Sequence, residues 1–234
     1  MQDKNEKDFL RWADNGWLAS PEYLSFWGSV FSSDLVNYVD NKTIADIGAG
    51  NGQIWEYAIQ NGCLPKALHL IDPDLYISNE LENYRFVQEH KDPIEDVSPL
   101  HIDTAICKQS FHIIYEYIGN KFFDLVNAEK YIIFSMPKKI SWAVSDAFEE
   151  IFLPSCLDVE KAMKENGKKT VSSNIYSYPV KLPRHVWISM VKGRFTSCLH
   201  PCDDEFIENE VAWIEANLPE TIEFDDKLEC IIFE

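Results

Sequence analysis

The residues with the clearest chemical potential are two carboxylates and a run of alternate glycines. Asp46 opens Asp46-Ile47-Gly48-Ala49-Gly50-Asn51-Gly52, and Asp72 opens Asp72-Pro73-Asp74. Glycine lets a backbone turn tightly and lets a ligand approach it closely. Such a turn after a parallel strand is where open α/β sheets bind nucleotides. Asp72 follows Gly48 by 24 residues, close to the separation of the acid that accepts ribose hydroxyls in dinucleotide sites. Its other reading is a turn former or helix cap before Pro73. The glycine spacing departs from G-x-G-x-x-G, which argues against a nicotinamide-dependent oxidoreductase.

These residues need strands to hold them. Thr43 to Ile47 is a short, mostly apolar run with Asp46 next to its end, and Ala67 to Ile71 is one that ends in Asp72. Residues 85–88, 102–107 and 130–136 also read as strands, separated by helical stretches. This alternation predicts a doubly wound, mostly parallel α/β sheet. Upstream, Ser20-Pro21 predicts a helix start and a helix from Pro21 to Tyr38. Phe9, Trp12 and Trp17 add aromatic weight to this helical cap, residues 1–40. Beyond Ser141 the pattern turns helical to about Met163, with a break at Pro154. Val171 to Val180 then reads as extended, and Pro183–Lys192 and Asp203–Asn217 read as helices. Two final strands, 221–224 and 228–233, predict an antiparallel hairpin at the sheet edge.

With 234 residues, 46% of them apolar, the chain suits one sizeable domain with a full core. Its charged first residues predict no secretory signal, and no apolar run nears the ~20 residues that span a bilayer. A cytoplasmic protein with no membrane partner is expected. The net charge of −18 repels phosphate backbones and argues against a nucleic-acid partner. Six cysteines, at 63, 107, 156, 198, 202 and 230, show no disulfide framework. Cys198-Leu199-His200-Pro201-Cys202 offers three soft ligands without an evident fourth, and reads as ordinary thiols rather than a metal site.

The Asp-x-Gly-x-Gly-x-Gly pattern with Asp72 resembles the class I S-adenosylmethionine (SAM)-dependent methyltransferases. The resemblance implies a seven-stranded, Rossmann-like sheet with N-terminal helices and an antiparallel C-terminal edge. It divides the expected single domain into the cap, a SAM-binding core over 43–136 and an acceptor-side insertion over 141–200. It implies SAM as cofactor, S-adenosylhomocysteine (SAH) as product, and a small-molecule acceptor methylated most readily at oxygen. Gly48, Ala49 and Gly50 would pass under the methionine end and ribose, Asp46 would orient the methionine amino group, and Asp72 with Pro73 would bound the ribose. Asp92, otherwise a surface acid, would meet adenine.

Cys107 to His112 resembles the family's motif IV, which places Lys108 or Gln109 near the methionine end. His112 would sit where an imidazole can deprotonate an acceptor, or else on the buried face of a helix. Pro183 to Ser197 resembles the region before the last helices in the trans-aconitate methyltransferase-like group, where such residues help build the acceptor pocket. There His185 and Arg194 would line the acceptor side, and Arg194 could pair with a carboxylate or serve a structural ion pair. Tyr23 and Trp27 either close over the cofactor or fill the core. A protein or tRNA methyltransferase and a non-catalytic partner built on the same fold are the alternative functions.

Overall fold

The computed structural model describes residues 16–155 and 157–234; Phe9, Trp12 and Cys156 lie outside them. The elements follow one another as a 3-10 turn over Gly16–Ala19, α1 (Pro21–Ser32), α2 (Val36–Val39), β1 (Thr43–Ile47), α3 (Gln53–Gln60), β2 (Ala67–Ile71), α4 (Asn79–Glu82) and β3 (Val87–His90). After a 3-10 turn at Ile94–Asp96 come β4 (Leu100–Lys108), α5 (Phe111–Ile118), α6 (Lys121–Leu125), β5 (Val126–Ser135), α7 (Asp146–Ser155) and α8 (Val159–Glu165). The chain closes with β6 (Thr170–Pro183), α9 (Arg184–Lys192), a 3-10 turn at Ser197–Leu199, α10 (Asp204–Asn217) and β7 (Thr221–Phe233).

The seven strands form one sheet in the order β3-β2-β1-β4-β5-β7-β6. β1 pairs in parallel with β2 and with β4, β2 with β3, and β4 with β5. β7 enters antiparallel to β5, with Ile132 opposite Ile232. The expected doubly wound sheet with an antiparallel C-terminal edge is the observed one.

Two expectations need correction. The C-terminal hairpin is absent: 221–233 is one strand, and Asp225-Asp226-Lys227 lies inside it. The helix expected to Tyr38 ends at Ser32, where Ser33 Oγ donates back to Ser29 O at 2.6 Å and Leu35 N bonds Val30 O. Such side-chain bonds offer the backbone an alternative to the helical ladder. The break expected at Pro154 is present: α7 ends at Ser155, one residue past the proline, and α8 begins at Val159.

The chain divides into two compact units. The second comprises Leu24–Pro137, Leu157–Tyr176 and Leu228–Glu234, and therefore holds the whole of residues 43–136. Strand alternation sets its two cores. Ala45, Ile47, Ile71, Cys107, Tyr131, Ile133 and Phe233 bury one face of the sheet with Phe111, Phe122 and Met163. On the other face, Ile44, Asp46 and Ile106 share their side of the strands with buried residues of α1 and α3, among them Trp27, Phe31, Trp55 and Ala58. Gly28 permits the close approach of α1 to α3, since a Cβ there would overlap Tyr57 and the backbone of Ala58.

The first unit comprises Met1–Tyr23, Lys138–Cys156 and Ser177–Lys227. Its core is aromatic: Trp17, Trp142, Trp187, Phe195 and Phe224 pack with centroids 5.1 to 6.3 Å apart. One carboxylate lies inside it. Asp226 is 1% exposed and accepts from Trp17 Nε1 at 3.2 Å, Tyr23 Oη at 3.0 Å and Trp142 Nε1 at 3.1 Å. Buried polar groups persist where they are hydrogen-bonded, and three neutral donors satisfy this one.

Candidate functional site

The site is built where three parallel strands of the second unit end side by side. β1 runs into the glycine turn, and the turn is locked to both neighbours. Gly48 N and Ala49 N donate to Ile71 O at 2.8 and 3.2 Å, and Gly50 N donates to Asp72 Oδ2 at 3.0 Å. On the other side, Ser110 Oγ donates to Ile47 O. Gly48 has φ +77°, and a Cβ on it would overlap the Ser110 side chain. Glycine is required there twice over, by conformation and by space. Gly50 (φ +60°) and Gly52 (φ +67°) are also left-handed, and Gly52 then caps the start of α3.

Asp72 takes the turn-former role of its sequence context and also anchors the glycine loop. One oxygen holds the Gly50 amide; the other accepts from Asp74 N at 2.9 Å and forms a local turn. Its carboxylate is half-buried at the mouth of the loop. An ionised carboxylate has about four acceptor positions, so two remain for ligand hydroxyls. Pro73 and Asp92 are exposed. Asp92 acts on His90, where its charge opposes the lowering of the imidazole pKa by burial. Asp72 N bonds His90 O at 3.1 Å, which ties the end of β3 to the same rim.

Asp46 is the most unusual group in the site. It is 7% exposed, and its Oδ2 accepts from Trp55 Nε1 at 2.7 Å. Its Oδ1 is buried with no hydrogen-bond partner among the described residues. Burial pushes the carboxyl up to about 6; the Trp55 N–H and the nearby Lys108 charge pull it down, and Asp72 pushes it up. A buried acceptor left unmatched costs free energy comparable to a lost hydrogen bond. A ligand donor would recover that cost.

β4 brings Lys108 and Gln109 to the same edge. Lys108 Nζ lies 5.0 Å from the centroid of the Trp27 ring, within cation–π range. Gln109 has φ +61°, its N donates to Phe134 O at 2.9 Å, and its Nε2 contacts Met136 Sδ at 3.3 Å. A non-glycine residue in the left-handed region costs of order 1 kcal/mol and recurs at functional turns. His112, on the first turn of α5, is half-buried, and burial lowers its pKa against the opposing charge of Glu116. It is therefore neutral near pH 7.

The structure thus gathers Asp46, Gly48, Ala49, Gly50, Asp72, Lys108 and Gln109 at adjacent strand ends, with His112 following on α5. The remaining sequence candidates have other settings. Trp27 is fully buried against Phe134 and Tyr176, with centroids at 5.3 and 5.8 Å. In the first unit, Tyr23 is buried on Asp226, and His185 is exposed on α9. Arg194 is 4% exposed; its Nη1 donates to Leu199 O and Cys202 O, and its Nη2 meets Asp204 Oδ1 at 2.7 Å. That is the structural ion pair, with the guanidinium already held. The Cys198–Cys202 segment wraps it, His200 Nε2 lying 3.1 Å from Arg194 O. Burial raises the thiols of Cys63, Cys107 and Cys230, to about 11 for Cys63 and about 12 for Cys230, which makes them poor nucleophiles at neutral pH.

Sequence reasoning passed over Trp55, Ser110 and Asn51. A tryptophan on the inner face of a helix reads as core, and Trp55 is core as well as donor. Asn51, whose Oδ1 accepts from Gln53 N at 3.2 Å, is a polar residue between glycines, and Ser110 meets Gly48 only in space. Buried side chains bonded to backbone at a turn are the signal that could have found them.

No family model matches the chain, and no curated protein matches it. Solved structures do. A candidate methyltransferase from Bacillus halodurans C-125 is similar with a TM-score of 0.51 and 11% identity, over 91% of this chain and 98% of that one. Coclaurine N-methyltransferase bound to N-methylheliamine and SAH gives 0.49 at 11% identity, over 91% and 72%. A SAM-dependent methyltransferase from Aquifex aeolicus gives 0.48 at 15% identity, over 67% and 87%. At such identities the likeness is one of fold, carried by the Bacillus protein: this chain is built on the Rossmann-like methyltransferase fold.

Proposed function

We propose that the chain is an enzyme that binds SAM at the ends of β1, β2 and β4 and methylates an oxygen of a small acceptor, with SAH as product. The observation that carries the reading is the buried, half-satisfied carboxylate of Asp46 beside a glycine turn anchored by Asp72. The donor set suits the parts of the cofactor. Its methionine end is a zwitterion: Asp46 would take the ammonium, and Lys108, close enough to pull on the Asp46 charge, would take the carboxylate. Asp72 would accept from the ribose hydroxyls, and Gly48 to Gly50 present backbone without side chains. Asp92 is the proposed partner of the adenine amino group.

Bound there, SAM supplies a methyl group on a positively charged sulfur, open to in-line attack. Most of the protein's work is then to hold and orient. Asp46, Asp72 and Lys108 fix the cofactor by charge and hydrogen bonding. His112, neutral at pH 7 because burial lowers its pKa, takes the acceptor's proton. An acidic chain of net charge −18 suits a small acceptor better than a polyanionic one.

Incubation with methyl-tritiated SAM and a panel of carboxylic acids, phenols, amines, tRNA and protein tests this reading. Label is expected in a carboxylic acid or phenol, a methyl ester releasing volatile methanol in alkali. Label in amines, tRNA or protein alone would overturn the small-molecule oxygen assignment. Label in nothing would overturn the activity.

A further inference from the structure

Trp55 has a role that its burial alone does not explain. Its indole lies in the core against Phe31, 5.1 Å between centroids, and any backbone carbonyl would satisfy its N–H. It donates instead to a buried carboxylate that has no other hydrogen-bond donor among the described residues. A single neutral donor does not offset the burial of that charge, so as a purely structural pair Asp46–Trp55 is incomplete.

We propose that Trp55 is the positioning residue of the cofactor site: by binding Oδ2 it fixes the Asp46 carboxylate and reserves Oδ1 for the ammonium of the amino-acid end of the ligand. This rests on the reading of Asp46 as the ammonium partner. The charged and titratable groups facing Asp46 come from both flanking strands. Asp72 opposes its ionisation from β2, Lys108 favours it from β4, and the Cys107 thiol, also on β4, stays protonated. From α3 the only contributor is the Trp55 N–H, which favours the ionised form. Ligand affinity should therefore fall as pH drops through about 6, and loss of the N–H should move that midpoint upward.

Calorimetry of wild type and Trp55→Phe with two ligands tests this. SAH carries the amino-acid end; 5′-methylthioadenosine lacks it. The variant should bind SAH roughly tenfold or more weakly at pH 7, the worth of one hydrogen bond to a charged group. It should bind methylthioadenosine unchanged, and its SAH affinity should fall away at a higher pH than in wild type. Equal loss of both ligands would make Trp55 merely structural and overturn the inference. No loss of SAH affinity would overturn it while leaving the cofactor reading intact. If wild type binds neither ligand, the cofactor reading falls and takes the inference with it.

If the variant fails to fold, the assigned Trp55 indole N–H resonance of wild type decides. It should titrate near pH 6, and SAH should suppress that titration. A resonance indifferent to both would overturn the proposal.

Discussion

At the scale of the residue, Asp46 holds the tension between stability and function. Its pKa rises on folding from an ordinary carboxylate value to about 6, chiefly through burial. The folded protein therefore keeps a proton that the unfolded chain releases between about pH 4 and 6. Stability falls as pH rises through that window, by about 3 kcal/mol at the full shift. Asp46→Asn keeps an acceptor for Trp55 but cannot ionise. In chemical denaturation, wild type should lose stability relative to this variant between pH 4 and 6, and the gap should stay flat above. An unchanging gap would mean that Asp46 is not a strained acid. The same variant should lose SAH affinity. Asp46 and Asp72 were legible because each stands at the end of an apolar run, Asp46 just ahead of the glycines and Asp72 just ahead of Pro73. Arg194 was not, because sequence cannot say whether Asp204, ten positions on, folds back to neutralise it.

At the scale of the element, the glycine turn is where backbone conformation and packing meet. Gly48→Ala places a Cβ on left-handed backbone and into Ser110, which ties β4 to β1. Gly167→Ala meets a comparable backbone cost at φ +75°, but its Cβ has nothing within 4 Å. Denaturant titration should show about 1 kcal/mol lost for Gly167→Ala, and at least 1 kcal/mol more for Gly48→Ala. Equal losses would mean that the β1–β4 contact is loose. The parallel strands were legible as buried apolar runs. The length of β7 was not, since Asp225-Asp226-Lys227 has the composition of a turn. Trp17, Tyr23 and Trp142, distant in sequence, supply the donors that let Asp226 stay buried in a continuous strand.

At the scale of the whole molecule, fold class was legible because strand–helix alternation over 43–136 admits few arrangements once crossovers are right-handed. The division into two units was not, because the first is assembled from three separated segments around one aromatic core. Among the described residues no helix is long and apolar enough to cross a membrane. Acidity constrains the class of acceptor but cannot name it, since recognition rests on a few side chains rather than on net charge. The central claim is that the ends of β1, β2 and β4 bind SAM. Calorimetric titration with SAM, SAH and NAD tests it most directly. Binding of SAM and SAH in the micromolar range, with no heat from NAD, is the predicted result. Absence of binding by both SAM and SAH would contradict the claim and leave the glycine turn a structural feature of the fold.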